Sequence, residues 1–386
     1  MRSLLLAASL LGSGLCAQNY YIPDNLAGSG TCNVIPFGST TTTSSFYTCI
    51  TQQIVRANEL GNVPNVITGL GFAACGTGKS RFTSLQVILD HAPANTTLSS
   101  TFANNLTSAA VTVLDLNNHV WHTTAGNWME IGLQDYFVYD GTSDLVIQII
   151  ANQSLSPAGF HRSSTHPRVY ALGWTGTPPA TGTYSGTTAQ KMEIGMLTAR
   201  LSTFGDGCTG SNSLQPTMVI SGTPQLGQTV NLDLASAPAN GLAFFVLGFG
   251  NGFPLPLDLG NFGAPGCWQY VNPLALVPTV TDTAGGAVMP FAIPNSAAYY
   301  GTRIYAQWAC VDAGANSLGV TTSDYARMRS AADEPRIAGK GPRSQGSAGP
   351  FDGDAVPRRA LPGLEFAGTP AVARQPGEVD IDRDRP

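Results

Sequence analysis

The sequence predicts an all-β chain: two β-sandwich domains of jelly-roll or immunoglobulin-like kind, followed by a disordered tail. Three observations carry this. Turn-forming residues are abundant, with 44 Gly and 26 Pro among 386 residues, while charged residues make up only 11%. Apolar residues come in short runs of strand length, several of them alternating with polar residues. Long stretches of helix-period spacing are missing.

The N-terminus reads as a signal peptide over residues 1–17. Arg2 precedes an apolar run, Leu4–Leu15, and a small-residue exit at Cys16-Ala17-Gln18. That run is too short to cross a bilayer, and no later segment reaches the roughly 20 apolar residues a spanning helix needs. Cleavage near Ala17 fits better than lipidation of Cys16, because Leu15 is bulky where a lipidated site takes a small residue. The mature chain is expected outside the cell or in its envelope. A net charge of −5 offers no basic surface for nucleic acid.

The first domain is expected over residues 18–204. Gln52–Leu60 reads as its one short helix. Strands follow at Val66–Phe72, Phe82–Leu89, Ala110–Leu116, Ile131–Tyr139 and Leu145–Ile150, separated by turn clusters such as Asp140-Gly141 and Pro178-Pro179. Leu201–Pro216, dense in Gly and Ser, marks the boundary. The second domain, residues 205–329, reads as eight strands between Thr217 and Met328. Leu242–Gly250 lacks alternation at Phe244–Leu247 and is expected to be central. Residues 330–386 change character. They hold eight Lys/Arg and nine Asp/Glu among Pro, Gly and Ala without periodicity, a composition that cannot bury enough apolar area to offset ordering.

After removal of Cys16, six cysteines remain: Cys32, Cys49, Cys75, Cys208, Cys267 and Cys310. In an exported chain they read as disulfides. If the halves fold separately, each holds three and leaves one over. Cys208–Cys267 is the preferred bridge, since both sit in Gly-rich turns at strand edges. Paired C-x-x-C zinc spacing is absent.

The ordered short motifs resemble a known set. In the second domain they are Gly207-Cys208-Thr209-Gly210-Ser211, Gly222-Thr223-Pro224-Gln225-Leu226-Gly227, Leu257-Asp258-Leu259-Gly260, Gly263-Ala264-Pro265-Gly266-Cys267, Tyr305-Ala306-Gln307-Trp308 and Thr322-Ser323-Asp324-Tyr325-Ala326. In the first they are Ile35-Pro36-Phe37-Gly38, Gln52-Gln53-Ile54, Ile67-Thr68-Gly69-Leu70-Gly71-Phe72 and Thr101-Phe102-Ala103-Asn104-Asn105. Over roughly residues 30–328 the chain is similar to uncharacterised secreted proteins of environmental bacteria built from tandem β-sandwich modules. The resemblance implies export and β-rich folds, and carries over no catalytic residue. The tail departs from that pattern.

Candidate chemistry is sparse. Ala73–Ser80, AACGTGKS, fits a loose phosphate-loop pattern, but alternation after Ser80 argues for a hairpin turn instead of the required strand-to-helix loop. His119 and His122 are three apart, which on a strand puts them on opposite faces, and they read as part of a polar loop around Trp121. His161 and His166 read as loop residues. No G-x-S-x-G elbow or H-E-x-x-H occurs. Among Asp115, Glu130, Asp135, Asp140 and Asp144, no spacing singles out the carboxylate pair of a glycosidase. Calcium is the one cofactor left open, at the turn bearing Asp140 and Asp144; the EF-hand pattern is absent. Trp121, Trp128 and Trp174 fall in or near predicted loops, where rings stack on sugars. The expectation is a non-catalytic binding or structural protein of the cell exterior or envelope, with polysaccharide as partner. The alternative is a secreted hydrolase with a dispersed site in the first domain.

Overall fold

The computed structural model describes residues 18–38, 41–155, 159–251, 255–296 and 299–331. The expected signal peptide at 1–17 and all of the expected tail 330–386 but its first two residues lie outside the described residues. Among the described residues the chain is all-β, its helical segments being 3-10 turns of three or four residues. None of its helices is long and apolar enough to cross a membrane.

A single sheet of eleven strands forms the backbone of the fold. In spatial order its strands are Thr183–Ser185, Arg168–Leu172, Cys49–Val55, Asp144–Asn152, Gly78–Ala92, Val111–Thr123, Arg200–Phe204, Val320–Arg329, Arg303–Val311, Leu242–Gly248 and Ala275–Val280. All of the pairings are antiparallel. Pairing continues across residue 204, because Arg200–Phe204 pairs over five residues with Val320–Arg329.

Two smaller sheets cover this one. A five-stranded sheet, built on Asn65–Ala73 and Met192–Met196, covers the first. Between them lies the main core, where Phe72, Leu85, Trp121, Ile147 and Ile194 meet Tyr305 and Tyr325. The second cover is the three-stranded sheet of Thr217–Ser221, Thr229–Ala235 and Pro290–Ala292, packed through Met218, Val230 and Leu232 onto Phe245, Trp308 and Met328. Strand Val320–Arg329 serves both cores, since successive side chains point to opposite faces. Its Tyr325 enters the first core, whereas Ala326 and Met328 enter the second.

Several local expectations are corrected. Gln52–Leu60 is not a helix: Cys49–Val55 is a wholly buried strand, and only Ala57–Leu60 turns, as a 3-10 segment. Buried glutamines are tolerated there because they are hydrogen-bonded. Gln52 Nε2 donates to Gln148 Oε1 at 2.8 Å and to the Phe102 carbonyl at 3.0 Å. Ile131–Tyr139 is not one strand but the interval between Trp128–Glu130 and Phe137–Tyr139. Its middle is pinned instead by Gln134 and Asp135, whose N–H groups both donate to Val113 O. The Ala73–Ser80 segment makes no hairpin either, since the strands it joins belong to different sheets.

Cys208 is bonded to Cys267, and Cys32 to Cys75. Cys49 and Cys310 are buried free thiols, one left over in each half. Burial pushes the Cys310 thiol up to about 12. The bonded pairs are separated by 43 and 59 residues in sequence, so each stabilises by about 4 kcal/mol on chain-entropy grounds. Replacing Cys208 and Cys267 together by alanine should lower the free energy of unfolding by about that amount. Urea titration followed by tryptophan fluorescence measures it, and an unchanged midpoint would refute the assignment.

Candidate functional site

The turn Thr124–Asn127 is closed by Asn127 N donating to Thr124 O at 3.2 Å, with Gly126 at φ 76 where a side chain would be strained. It delivers the short strand Trp128–Glu130, which pairs with Gly71–Ala73. Trp128 stays half-buried at the surface, its ring centroid 5.2 Å from that of Tyr21. It forms a shared wall of two concavities. One, of about 380 Å³, is lined by Asn25–Ser29, Gly126 and Asn127. The other, of about 260 Å³, is lined by His122, Thr124, Glu130, Arg200, Ser202 and Thr203.

An ionic layer adjoins Trp128 through Glu130. Glu130 is buried, its Oε1 2.8 Å from Arg329 Nη1 and 3.4 Å from Arg327 Nη1, with Arg200 Nε 4.0 Å from Oε2. The guanidinium groups are further held by carbonyls: Arg329 donates to Thr198 and Thr68, and Arg327 to Leu133. Arg200 also pairs with Glu193, which accepts from the Tyr21 hydroxyl at 3.3 Å. Room for these groups comes from glycine. A Cβ on Gly69 would lie 2.9 Å from Arg329 Nη2, and one on Gly71 2.8 Å from Glu193 Oε2.

The two carboxylates are pushed apart electrostatically. Burial alone would raise Glu130, but Arg329, Arg327 and Arg200 together hold it down, to about 2. Glu193 is raised, because its desolvation outweighs the single guanidinium of Arg200. Such a split pair is the signature of acid and base roles. Here, however, the space enclosed between Glu130, Glu193, Gly69 and Gly71 does not admit even a water molecule. The pair is locked into the protein, and no reacting atom fits between its members.

The other expected residues are placed as follows. Trp121 is not in a loop. It lies in strand Val111–Thr123, fully buried among Phe37, Phe72 and Phe160, with its Nε1 donating to Glu130 O at 2.8 Å. It therefore cannot present a face to a ligand. Trp174 packs under the outer-face cluster of Ile54, Phe102 and Val169, and its indole nitrogen is buried. His119 and His122 lie on the same strand as Trp121, not in a polar loop. His119 stacks on Phe82, and burial holds it neutral, down at about 3. His122 donates from Nε2 to Gly205 O and accepts at Nδ1 from Thr203 Oγ1, at 2.7 and 2.9 Å. Of the remaining pair, His161 is not a loop residue but is buried in strand Phe160–Arg162, whereas His166 does lie in a loop, with its Nε2 2.6 Å from Glu59.

Asp140 and Asp144 do not form a cation site. Asp140 caps its own turn, accepting from Thr142 N and Ser143 N at 2.8 Å, which holds its carboxyl down at about 2 despite some burial. Asp144 points inward to Arg56 at 2.7 Å and accepts from Ala57 N at 3.1 Å. Among the described residues the one cluster of metal-binding type is Cys32, Cys75 and His161, and its two sulfurs are spent on a disulfide. No protein-family model and no curated protein matches this sequence.

Arg327, Arg329 and Glu193 escaped sequence reading because each lies 60 or more residues from Glu130 along the chain. The paired glycines of Gly69-Leu70-Gly71 were the visible trace, since a strand interior spends glycine where another group comes close. Glu130→Gln should destabilise the protein by about 3–5 kcal/mol, as it leaves two buried guanidinium groups uncompensated. Glu130's depressed value also fixes the pH dependence. Its contribution is fully present above its unfolded value near 4.5 and is lost as pH falls through about 2. Between pH 4.5 and 2 the stability of Glu130→Gln should therefore fall less steeply than that of the wild type; parallel curves in urea titrations would overturn the assignment.

Proposed function

We propose that this is an exported, non-catalytic glycan-binding protein of the cell exterior or envelope, and that its ligand lies across Trp128. One observation carries the reading: a half-buried indole stands between two concavities that together offer about 640 Å³, from about 380 and 260 Å³. An aromatic face flanked by a few placed polar groups suits a sugar ring, which has an apolar C–H face and a hydroxylated rim. Asn25, Ser29 and Asn127 stand on one side of the ring, with Thr124, Ser202 and Thr203 on the other. The platform is rigid, because Glu130, two residues from Trp128, is fixed by buried arginines. Preorganisation of this kind limits the entropy lost on binding. The two disulfides support an oxidising compartment.

Glu130 and Glu193, the carboxylates whose acidities are most plainly pushed apart around Trp128, meet in a space too small for a scissile bond. Binding is therefore the better supported function.

The purified chain screened on a glycan array, with hits measured by calorimetry, should show binding to an extended polysaccharide fragment. Trp128→Ala should weaken that binding at least tenfold with little change in thermal midpoint, as the ring is only half-buried. Trp121→Ala should instead destabilise by about 3–5 kcal/mol through a core cavity. Glycan binding that survives Trp128→Ala, or no binding at all, would sink the proposal.

A further inference from the structure

A third concavity shares no lining residue with the two beside Trp128. It has a volume of about 270 Å³ and is lined by Tyr47, Arg81, Gln153, Asp206, Trp268 and Tyr270. From this we infer a separate binding site for a carboxylate-bearing saccharide, seated on Arg81 between the rings of Tyr47 and Trp268.

The walls are aromatic and held in place. Tyr47 and Trp268 are half-buried. Trp268 follows the disulfide-bonded Cys267, and its carbonyl accepts from Gln307 Nε2 at 2.8 Å. Tyr270 is fixed by Gln307 Oε1, which accepts its N–H at 2.8 Å, and by Asp206, whose N–H donates to the Tyr270 hydroxyl at 2.9 Å. The Tyr270 ring also fits only because residue 205 is glycine: a Cβ there would stand 2.7 Å from it.

The polar groups of the cleft have donors to spare. Asp206 accepts from Lys79 Nζ at 2.8 Å, from Arg81 Nη2 at 3.1 Å and from Arg81 Nη1. Two cations thus face one carboxylate, leaving a local excess of one positive charge in a chain of net charge −5. Asp324 offsets this excess only in part: it is buried next to His122, burial pushes its carboxyl up to about 7, and it accepts from Met218 N. Arg81 remains about half exposed, with a side-chain accessibility of 48%. Gln153 Oε1 is already used by the Thr83 hydroxyl at 2.6 Å, which leaves the amide N–H groups of Gln153 for a ligand. A site with spare N–H donors and few spare acceptors selects an anionic, acceptor-rich group.

The rings decide what carries that anion. A bare inorganic anion needs no aromatic walls, whereas a uronate sugar presents a carboxylate on a ring with an apolar face. The volume is just under the roughly 300–1,000 Å³ of drug-sized sites and suits one such ring.

Calorimetry of the intact chain with trigalacturonate as probe, and maltotriose as its neutral counterpart, tests this directly. Trigalacturonate should bind at least tenfold more tightly than maltotriose, and more weakly as salt is raised. Arg81→Gln should reduce its binding at least tenfold. Tyr47→Ala, which leaves the Asp206 ion pairs intact, should reduce it as well, guarding against a variant that merely misfolds. Trp128→Ala should leave trigalacturonate binding unchanged, so failure at one surface is separable from failure at the other. Absence of trigalacturonate binding, equal binding of maltotriose, full competition by millimolar sulfate, or indifference to both Arg81→Gln and Tyr47→Ala would each overturn the inference.

Discussion

Glu130 ties the five-stranded sheet to the eleven-stranded one. Its carboxylate meets the buried Arg327 and Arg329 from one strand and approaches the half-buried Arg200 from the neighbouring strand. A buried ion pair is poor evidence of net stability, since desolvation offsets much of the attraction. It is better evidence of uniqueness. A one-residue slip of Val320–Arg329 would send both guanidinium groups into the apolar second core beside Met218 and Trp308, where no partner waits. The charges thus fix the register of the strand that both cores share. The same carboxylate lies two residues from Trp128, so the constraint that sets the sheet also sets the proposed platform.

Glycine makes this constraint possible. In Ile67-Thr68-Gly69-Leu70-Gly71-Phe72, the large residues Ile67, Leu70 and Phe72 fill the core, while Gly69 and Gly71 leave space for Arg329 and Glu193. Other residues in the ordered motifs act similarly. Gln307 of Tyr305-Ala306-Gln307-Trp308 bonds the backbone at Trp268, Tyr270 and Ser323. Asp324 of Thr322-Ser323-Asp324-Tyr325-Ala326 accepts from Met218 N and so anchors the three-stranded sheet. These residues hold sheets together.

What could be read from sequence divides along the range of the interactions. Strands such as Phe82–Leu89 and Arg303–Asp312 were legible because alternation and β-branched content are local, and Cys208–Cys267 because both cysteines stand in recognisable turns. Gln52–Leu60 misled because its polar residues looked solvated, yet Gln52 is satisfied by Gln148 and Asn105, distant in the chain. Trp121 misled for a subtler reason. The inward positions of its strand are Leu114 and Leu116 on one side of Asn118, but His119 and Trp121 on the other. The left-handed Asn118 accompanies that change of parity, so the alternation that runs up to Leu116 breaks off before Trp121 and the stretch reads as a loop. The buried charges were least legible, because nothing local to Glu130 announces its partners.

The parting of two strands also explains why concave surfaces exist at all in a molecule made of packed sheets. Arg200–Phe204 pairs with Val320–Arg329 along its whole length, but with Val111–Thr123 only at Phe204 and Trp121. A sheet joined at a single residue pair must open on both sides of it, for the strands diverge with their natural twist. On one side the gap is walled by His122, Arg200 and Trp128. Past the crossing, Gly205 turns the chain with φ 83 and brings Asp206 to Arg81 at the other cleft. His122 bridges the two sides, bonded to Thr203 before the crossing and to Gly205 after it. The incomplete ladder thus borders both proposed surfaces: the gap beside Arg200 opens towards Trp128, and the turn after Phe204 supplies Asp206 to the other cleft.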